Sequence, residues 1–308
     1  MTPASDCFAP RFLDVPGPCP ARLRAATFEV EVVPRGVCVL LNGQTEFIEK
    51  YFEVIDELRG RGFAVATMDW RGQGGSSRPL PDPRKGYVRD FCEYDRDLEC
   101  LMQEIVTPLS ARTGGALIGL AHSMGGHNLL RALHQRPGVF SACVFSAPMI
   151  GISTRGEPRW LVPLASTVMN ALGRSRDFVW GMDKRDPANM PFSEQLVTSD
   201  PARFARTQAL LRADPALMLA GATWGWLKAA YRSLDEISAP YYAPAISTPV
   251  LICGAGKDRI CITAAAETFA RHMPSARYLE IANSEHEILM ERDCIRERFW
   301  NAFDEFLA

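Results

Sequence analysis

The chain lacks any run of about eighteen apolar residues, so no transmembrane helix is expected. It also lacks a charge excess: 34 Lys and Arg face 36 Asp and Glu, a formal net charge of −2 at pH 7. The basic residues are scattered among acidic and apolar ones, which excludes the basic stripe of a nucleic-acid binder. Nine cysteines are present, yet none forms a CxxC pair or a spaced Cys/His set, so no metal site is expected. Cys38, Cys143 and Cys253 sit inside apolar runs, where cysteine acts as a small core residue. An odd count of such thiols fits a reducing compartment. Residues 1–20 lack a basic start followed by an apolar stretch, so no signal peptide is visible and a cytoplasmic location is expected. Internal repeats and low-complexity segments are also missing.

What is present is an alternation. Strand-like runs cover Ala26 to Val33, Val37 to Leu41, Phe63 to Met68, residues 116–121 and Ala142 to Ser146. Helical periodicity covers Glu46 to Arg61, Tyr87 to Leu109 and residues 124–135. From about Pro148 to Ala243 this rhythm breaks into an irregular, proline-rich, helix-prone stretch holding Trp160, Trp180, Trp224 and Trp226. It then resumes with strand Val250 to Cys253, helix Thr263 to His272, strand Ala276 to Ile281 and helix Arg292 to Phe306. The pattern predicts an α/β fold: a mostly parallel central sheet with helices on both faces. The expected organisation is a core in two parts, residues 1–148 and 244–308, interrupted by a helical cap insertion over 149–243. That insertion leaves just after the strand that follows Ser123, so it should fold over one edge of the sheet.

Ala121-His122-Ser123-Met124-Gly125 lies between an apolar strand and a helix. That is the setting of a nucleophile elbow, a sharp strand-to-helix turn that lifts a serine hydroxyl clear of the backbone. Small residues are required two places to either side; Ala121 and Gly125 satisfy this, with alanine in place of the usual first glycine. A serine hydroxyl needs a base, and the base needs an orienting acid. Of the five histidines, His122 points away on the rigid turn, His127 and His134 lie on the departing helix, and His272 ends another helix. His286 directly follows the last strand, where such sheets gather reactive groups, and is the candidate base. Asp258 follows the strand Val250 to Cys253 in a loop with two glycines and is the candidate acid; its bland alternative is a helix N-cap. Asp200, Asp214 and Asp235 fall in the insertion without such placement. The oxyanion donors are expected to be the backbone N–H groups of Met124 and Gln44, the latter in Asn42-Gly43-Gln44-Thr45 after an early strand.

Three segments together resemble the α/β-hydrolase superfamily, in its lysophospholipase and monoacylglycerol lipase-like branch. They are Asp69-Trp70-Arg71-Gly72-Gln73-Gly74-Gly75-Ser76, Ala121-His122-Ser123-Met124-Gly125-Gly126 and Ser284-Glu285-His286-Glu287-Ile288-Leu289. The resemblance spans roughly residues 26 to 307. It implies cofactor-free hydrolysis of a carboxylic ester, often a monoacyl lipid; transient contact with a membrane surface is compatible with such a substrate but is not fixed by the sequence. The chain departs from the branch at the oxyanion loop, where Asn42-Gly43 stands for His-Gly. The insertion's Met169, Met182, Met190 and Met218 and its tryptophans are candidates for an acyl-chain lining. A small-ester or amide-cleaving hydrolase on the same fold is the nearer alternative. A non-catalytic scaffold would be expected to lack one of the three residues, and serine rather than aspartate at the elbow disfavours a dehalogenase.

Overall fold

The computed structural model describes residues 2–154 and 156–308. Eight strands form the main sheet: β1 (Arg11–Val15), β2 (Ala21–Phe28), β3 (Gly36–Leu41), β4 (Phe63–Met68), β5 (Ala116–His122), β6 (Ala142–Ser146), β7 (Val250–Ala255) and β8 (Ala276–Ile281). Their spatial order is β1-β2-β4-β3-β5-β6-β7-β8. β2 runs antiparallel to both β1 and β4, and all other neighbours are parallel. β3, β4 and β7 are buried at every position. That is why they read as unbroken apolar runs: helices cover both faces of the sheet, so neither face selects polar residues.

Helices α1 (Phe52–Gly60) and α8 (Asp293–Phe306) pack on one face around Phe63, Phe299, Trp300 and Phe303. Helices α2 (Cys92–Leu101), α3 (Ser123–Gln135) and α7 (Thr263–His272) pack on the other around Trp70, Phe91, Tyr94 and Leu129. Between β6 and β7 the chain adds α4 (Leu161–Ala171), α5 (Pro201–Ala213) and α6 (Trp224–Ile237). Trp224, Trp226 and Ala230 of α6 join the same core as α2 and α3. A short parallel pair, Lys85–Gly86 with Gly221–Ala222, links this segment to the rest of the chain.

Three elements differ from the sequence reading by more than a shift of one or two residues at an end. The early strand spans Ala21–Phe28 rather than 26–33, and β1 precedes it. Arg22 and Arg24 disguise its start; Arg24 is nonetheless buried, because its guanidinium pairs with Glu49 and Asp69. The β-branched Val32 and Val33 look strand-like but lie in an exposed loop. The helix expected from Tyr87 begins at Cys92, where the carboxylate of Asp90 accepts the Cys92 N–H at 2.9 Å, and it runs on through a π-helical turn (Met102–Val106) into Thr107–Thr113. The helix expected from Glu46 starts as a 3-10 turn at Ile48–Tyr51 before α1.

Candidate active site

β5 ends at His122 and α3 starts at Ser123, with no intervening residue. Ser123 takes φ +50°, the left-handed region that a non-glycine residue enters only under constraint. The constraint is close packing. A Cβ on Gly125 would lie 2.5 Å from the carbonyl oxygens of both Leu41 and Asn42, and one on Gly126 would lie 2.9 Å from Pro148. Only glycine fits at 125, so the first turn of α3 sits hard against the end of β3. The methyl of Ala121, in place of the usual glycine, is fully buried between β3 and β6, where its paired residues are Leu41 and Phe145.

The structure brings Ser123, His286 and Asp258 together from the ends of three strands. His286 Nε2 lies 2.9 Å from Ser123 Oγ, and His286 Nδ1 lies 2.7 Å from Asp258 Oδ2. The second oxygen of Asp258 accepts the N–H groups of Ile260 and Cys261, each at 2.8 Å. Burial works to raise the Asp258 pKa, but the bond from His286 and these backbone donors outweigh it and hold the carboxyl below its ordinary range. Asp258 is not the N-cap of α7; that position is Ile262. Asp258, Cys261 and His286 also set a carboxylate, a thiol and an imidazole within 4.8 Å of one another, a donor set of metal-binding type. Both nitrogens of that imidazole are already engaged, one by Asp258 and one by Ser123.

Asn42-Gly43-Gln44-Thr45 passes beside the serine: a Cβ on Gly43 would come within 3.0 Å of Ser123 Cβ. Gly43 donates its N–H to Glu46 Oε2 at 2.5 Å, and Thr45 donates to Gln73 Oε1 at 3.3 Å. Gln73 Nε2 in turn donates to the Gly43 carbonyl at 2.7 Å. In a trans peptide C=O and N–H point opposite ways, so gripping that carbonyl turns the Gln44 N–H to the other side. Met124 lies in the first turn of α3, where an N–H has no partner within the helix.

A cavity of about 420 Å³ opens onto Ser123 and His286, within the range of small-molecule sites. Its lining includes Val162, Val179, Met182, Met190, Leu219 and Trp226. Of the other candidate lining residues, Met169 and Trp224 are core, Met218 packs against a small cluster under α5, and Trp160 and Trp180 are 65% and 71% exposed.

Residues 33–293 match the serine aminopeptidase S33 family of hydrolases. The chain belongs to that family. Lysophospholipase L2 of Escherichia coli K12 is 31% identical over 278 residues, covering 88% of this chain and 79% of that protein. A probable lysophospholipase L2 of Haemophilus influenzae is 29% identical over 277 residues, covering 90% and 85%. A soluble variant of monoglyceride lipase from Saccharomyces cerevisiae, solved with a substrate analog, shares the fold. It has a TM-score of 0.76 over 97% of this chain and 95% of that one, at 20% identity. The chain is an α/β-hydrolase of the lysophospholipase and monoacylglycerol lipase-like branch.

Sequence reasoning missed the clamp around the loop Asn42-Gly43-Gln44-Thr45. Trp70 Nε1 donates to the Asn42 carbonyl at 2.9 Å, and Gln73 holds Gly43, Thr45 and the Glu46 carbonyl. The Asp69–Ser76 segment that carried part of the resemblance is therefore a brace for this loop. The signal was available: a buried Trp and Gln in a glycine-rich turn need hydrogen-bond partners. Beneath the loop, Lys50 Nζ pairs with Glu46 at 2.7 Å and Glu287 at 2.6 Å. Burial opposes ionisation of Glu46, yet the Lys50 ammonium outweighs it and holds the carboxyl below its ordinary range. Burial holds the His122 ring near 4, so it is neutral at pH 7; it packs 4.8 Å from the His286 ring and bonds the Ser146 carbonyl.

Proposed function

We propose that the protein hydrolyses carboxylic esters of monoacyl lipids through an acyl-enzyme on Ser123. His286 removes the serine proton as Oγ attacks the ester carbonyl, and returns it to the leaving alcohol. Asp258 fixes the tautomer of His286 and steadies the imidazolium. The N–H groups of Gln44 and Met124 receive the oxyanion, and water, activated by the same histidine, releases the fatty acid. The observation that carries this reading is the Ser123–His286–Asp258 chain of bonds, 2.9 and 2.7 Å, facing a cavity with an apolar lining. Residues 149–243 act as a cap that supplies much of that lining. The lysophospholipase and monoglyceride lipase relatives support the lipid substrate.

An aminopeptidase reading, which the family's description invites, needs a carboxylate to hold the substrate's terminal ammonium. Among the described residues lining the cavity, the carboxylates are Glu46 and Glu287, and both are engaged by Lys50. That favours the ester.

Lipid would enter from a surface. Leu161, Leu164 and Val168 of α4 and Leu172 at its C-cap recur every three or four residues as one exposed stripe, beside Trp160, and Val162 of the same helix lines the cavity. Nine unpaired cysteines support a reducing compartment. A series of p-nitrophenyl esters tests the substrate class. Each buried methylene contributes up to about 0.8 kcal/mol, so octanoate should exceed acetate in kcat/KM by at least about tenfold. Equal rates would leave a small-ester hydrolase.

A further inference from the structure

Lys50 stands on the 3-10 turn Ile48–Tyr51, between two loops that the chemistry needs held together. On one side its ammonium binds Glu46 Oε1, while the other oxygen of Glu46 receives the Gly43 N–H at 2.5 Å and the Tyr51 hydroxyl at 2.7 Å. Glu46 thereby fixes the peptide plane that enters the oxyanion loop. On the other side Lys50 binds Glu287 Oε1, and Glu287 directly follows His286. The Glu287 N–H is donated to the Val197 carbonyl at 2.7 Å, so the same residue ties the base's loop to the segment over the cavity. All three charged side chains are buried.

The balance of charge makes Lys50 the keystone of this cluster. Two carboxylates share one ammonium, and His122 beside them is neutral. Burial already raises the Glu287 pKa, and without the ammonium the two buried carboxylates must share a proton or move apart toward water. Either response breaks the strut between the oxyanion loop and the loop of His286. Displacing catalytic groups by about 1 Å costs on the order of a hundredfold.

We propose that Lys50 is a positioning residue that keeps the oxyanion donor at Gln44 and the base His286 in register across Ser123. This rests on the roles assigned to Ser123 and His286 above. Because it acts on transition-state geometry rather than on the apolar part of the cavity that would hold the acyl chain, its loss should lower kcat and kcat/KM together and leave KM nearly unchanged.

The test is steady-state hydrolysis of p-nitrophenyl butyrate by the full-length protein, with thermal melting as a check on folding. Lys50→Met is expected to lose about ten- to a hundredfold in kcat with KM within about threefold of wild type. Lys50→Arg, whose guanidinium can also bridge two carboxylates, is expected to recover at least about a third of the wild-type kcat. Should Lys50→Met fail to fold, Glu287→Leu decides: it leaves a neutral Lys50–Glu46 pair but cuts the strut to the base's loop, with an expected loss of about three- to tenfold in kcat. A folded Lys50→Met or Glu287→Leu with wild-type kcat, or an Arg variant no better than Met, overturns the proposal. Ser123→Ala separates the two levels. If it is inactive while Glu287→Leu is unimpaired, only the role of Lys50 falls; if it stays active, the reading of the site falls and this inference with it.

Discussion

Replacing Asp258 with asparagine changes one oxygen for a nitrogen, and the structure dictates which. One carboxylate oxygen accepts two backbone N–H groups, from Ile260 and Cys261 at 2.8 Å each; the other accepts the His286 Nδ1 proton at 2.7 Å. In the amide, the carbonyl oxygen must stay with the two donors, because an NH2 group there would meet two N–H groups head-on. The NH2 group then faces His286 Nδ1, which can bond it only as the unprotonated acceptor. The proton moves to Nε2, and Nε2 points at Ser123 Oγ. A ring protonated there cannot accept the serine proton. Loss of the correct tautomer in a triad of this kind costs about 10⁴ in kcat, equivalent to about 5.5 kcal/mol of transition-state stabilisation. The two backbone bonds survive, so the melting temperature should shift by only a few degrees. The assay is p-nitrophenyl butyrate turnover at pH 8, with the wild type and Ser123→Ala as limits. A variant retaining more than about a tenth of wild-type kcat/KM would refute the reasoning and point to another carboxylate, Glu285 or Glu287, as the group that orients His286.

Acid should weaken the fold before it touches most carboxylates. Burial holds His122 near 4 and His127 near 3, against about 6.5 in the unfolded chain. Below about pH 6.5 the unfolded chain therefore binds protons that the fold refuses, and stability falls by up to about 1.4 kcal/mol per pH unit for each ring. Asp69 and Asp97, raised to about 6 by burial, take protons up in the fold and oppose this trend below pH 6. The urea midpoint should thus drop between pH 7.5 and 6, and a rise would contradict the assignment. The α4 stripe predicts that Leu164→Ser/Val168→Ser lowers sedimentation with phosphatidylcholine vesicles by at least about tenfold without slowing soluble butyrate ester hydrolysis. Unchanged vesicle binding would remove the stripe from the account.

The parallel half of the sheet was legible because β3, β4 and β7 are covered on both sides and carry little but apolar residues. The antiparallel end was not. β2 hides a buried arginine whose partners, Glu49 and Asp69, lie 25 and 45 residues away along the chain. Sequence periodicity cannot see such a pairing. The meeting of Ser123, Asp258 and His286 was readable for a local reason: each lies in the turn that leaves the C-terminal end of a strand (His122, Ala255 and Ile281), and glycine or strained backbone makes that turn sharp. The Lys50–Glu46–Glu287 cluster was hidden for the opposite reason. Glu46 and Lys50 have the i,i+4 spacing of an ordinary surface pair, and only Glu287, 237 residues from Lys50, makes it a buried strut. The tryptophans of 149–243 divided in the same way. Trp226 reaches the cavity, Trp224 the core, and Trp160 and Trp180 the surface.

The most direct test of the central claim, that Ser123 is the residue acylated by a monoacyl ester, is stoichiometric labelling with a fluorophosphonate carrying a ten-carbon alkyl chain, followed by peptide mapping. Attack of the serine oxygen on phosphorus expels fluoride and leaves a stable adduct in the geometry of the tetrahedral intermediate. The account predicts one adduct per chain, on the peptide containing Ser123, formed faster than with a methyl analogue and absent from Ser123→Ala. An adduct on another residue, or no adduct in a folded protein that still hydrolyses esters, would contradict it.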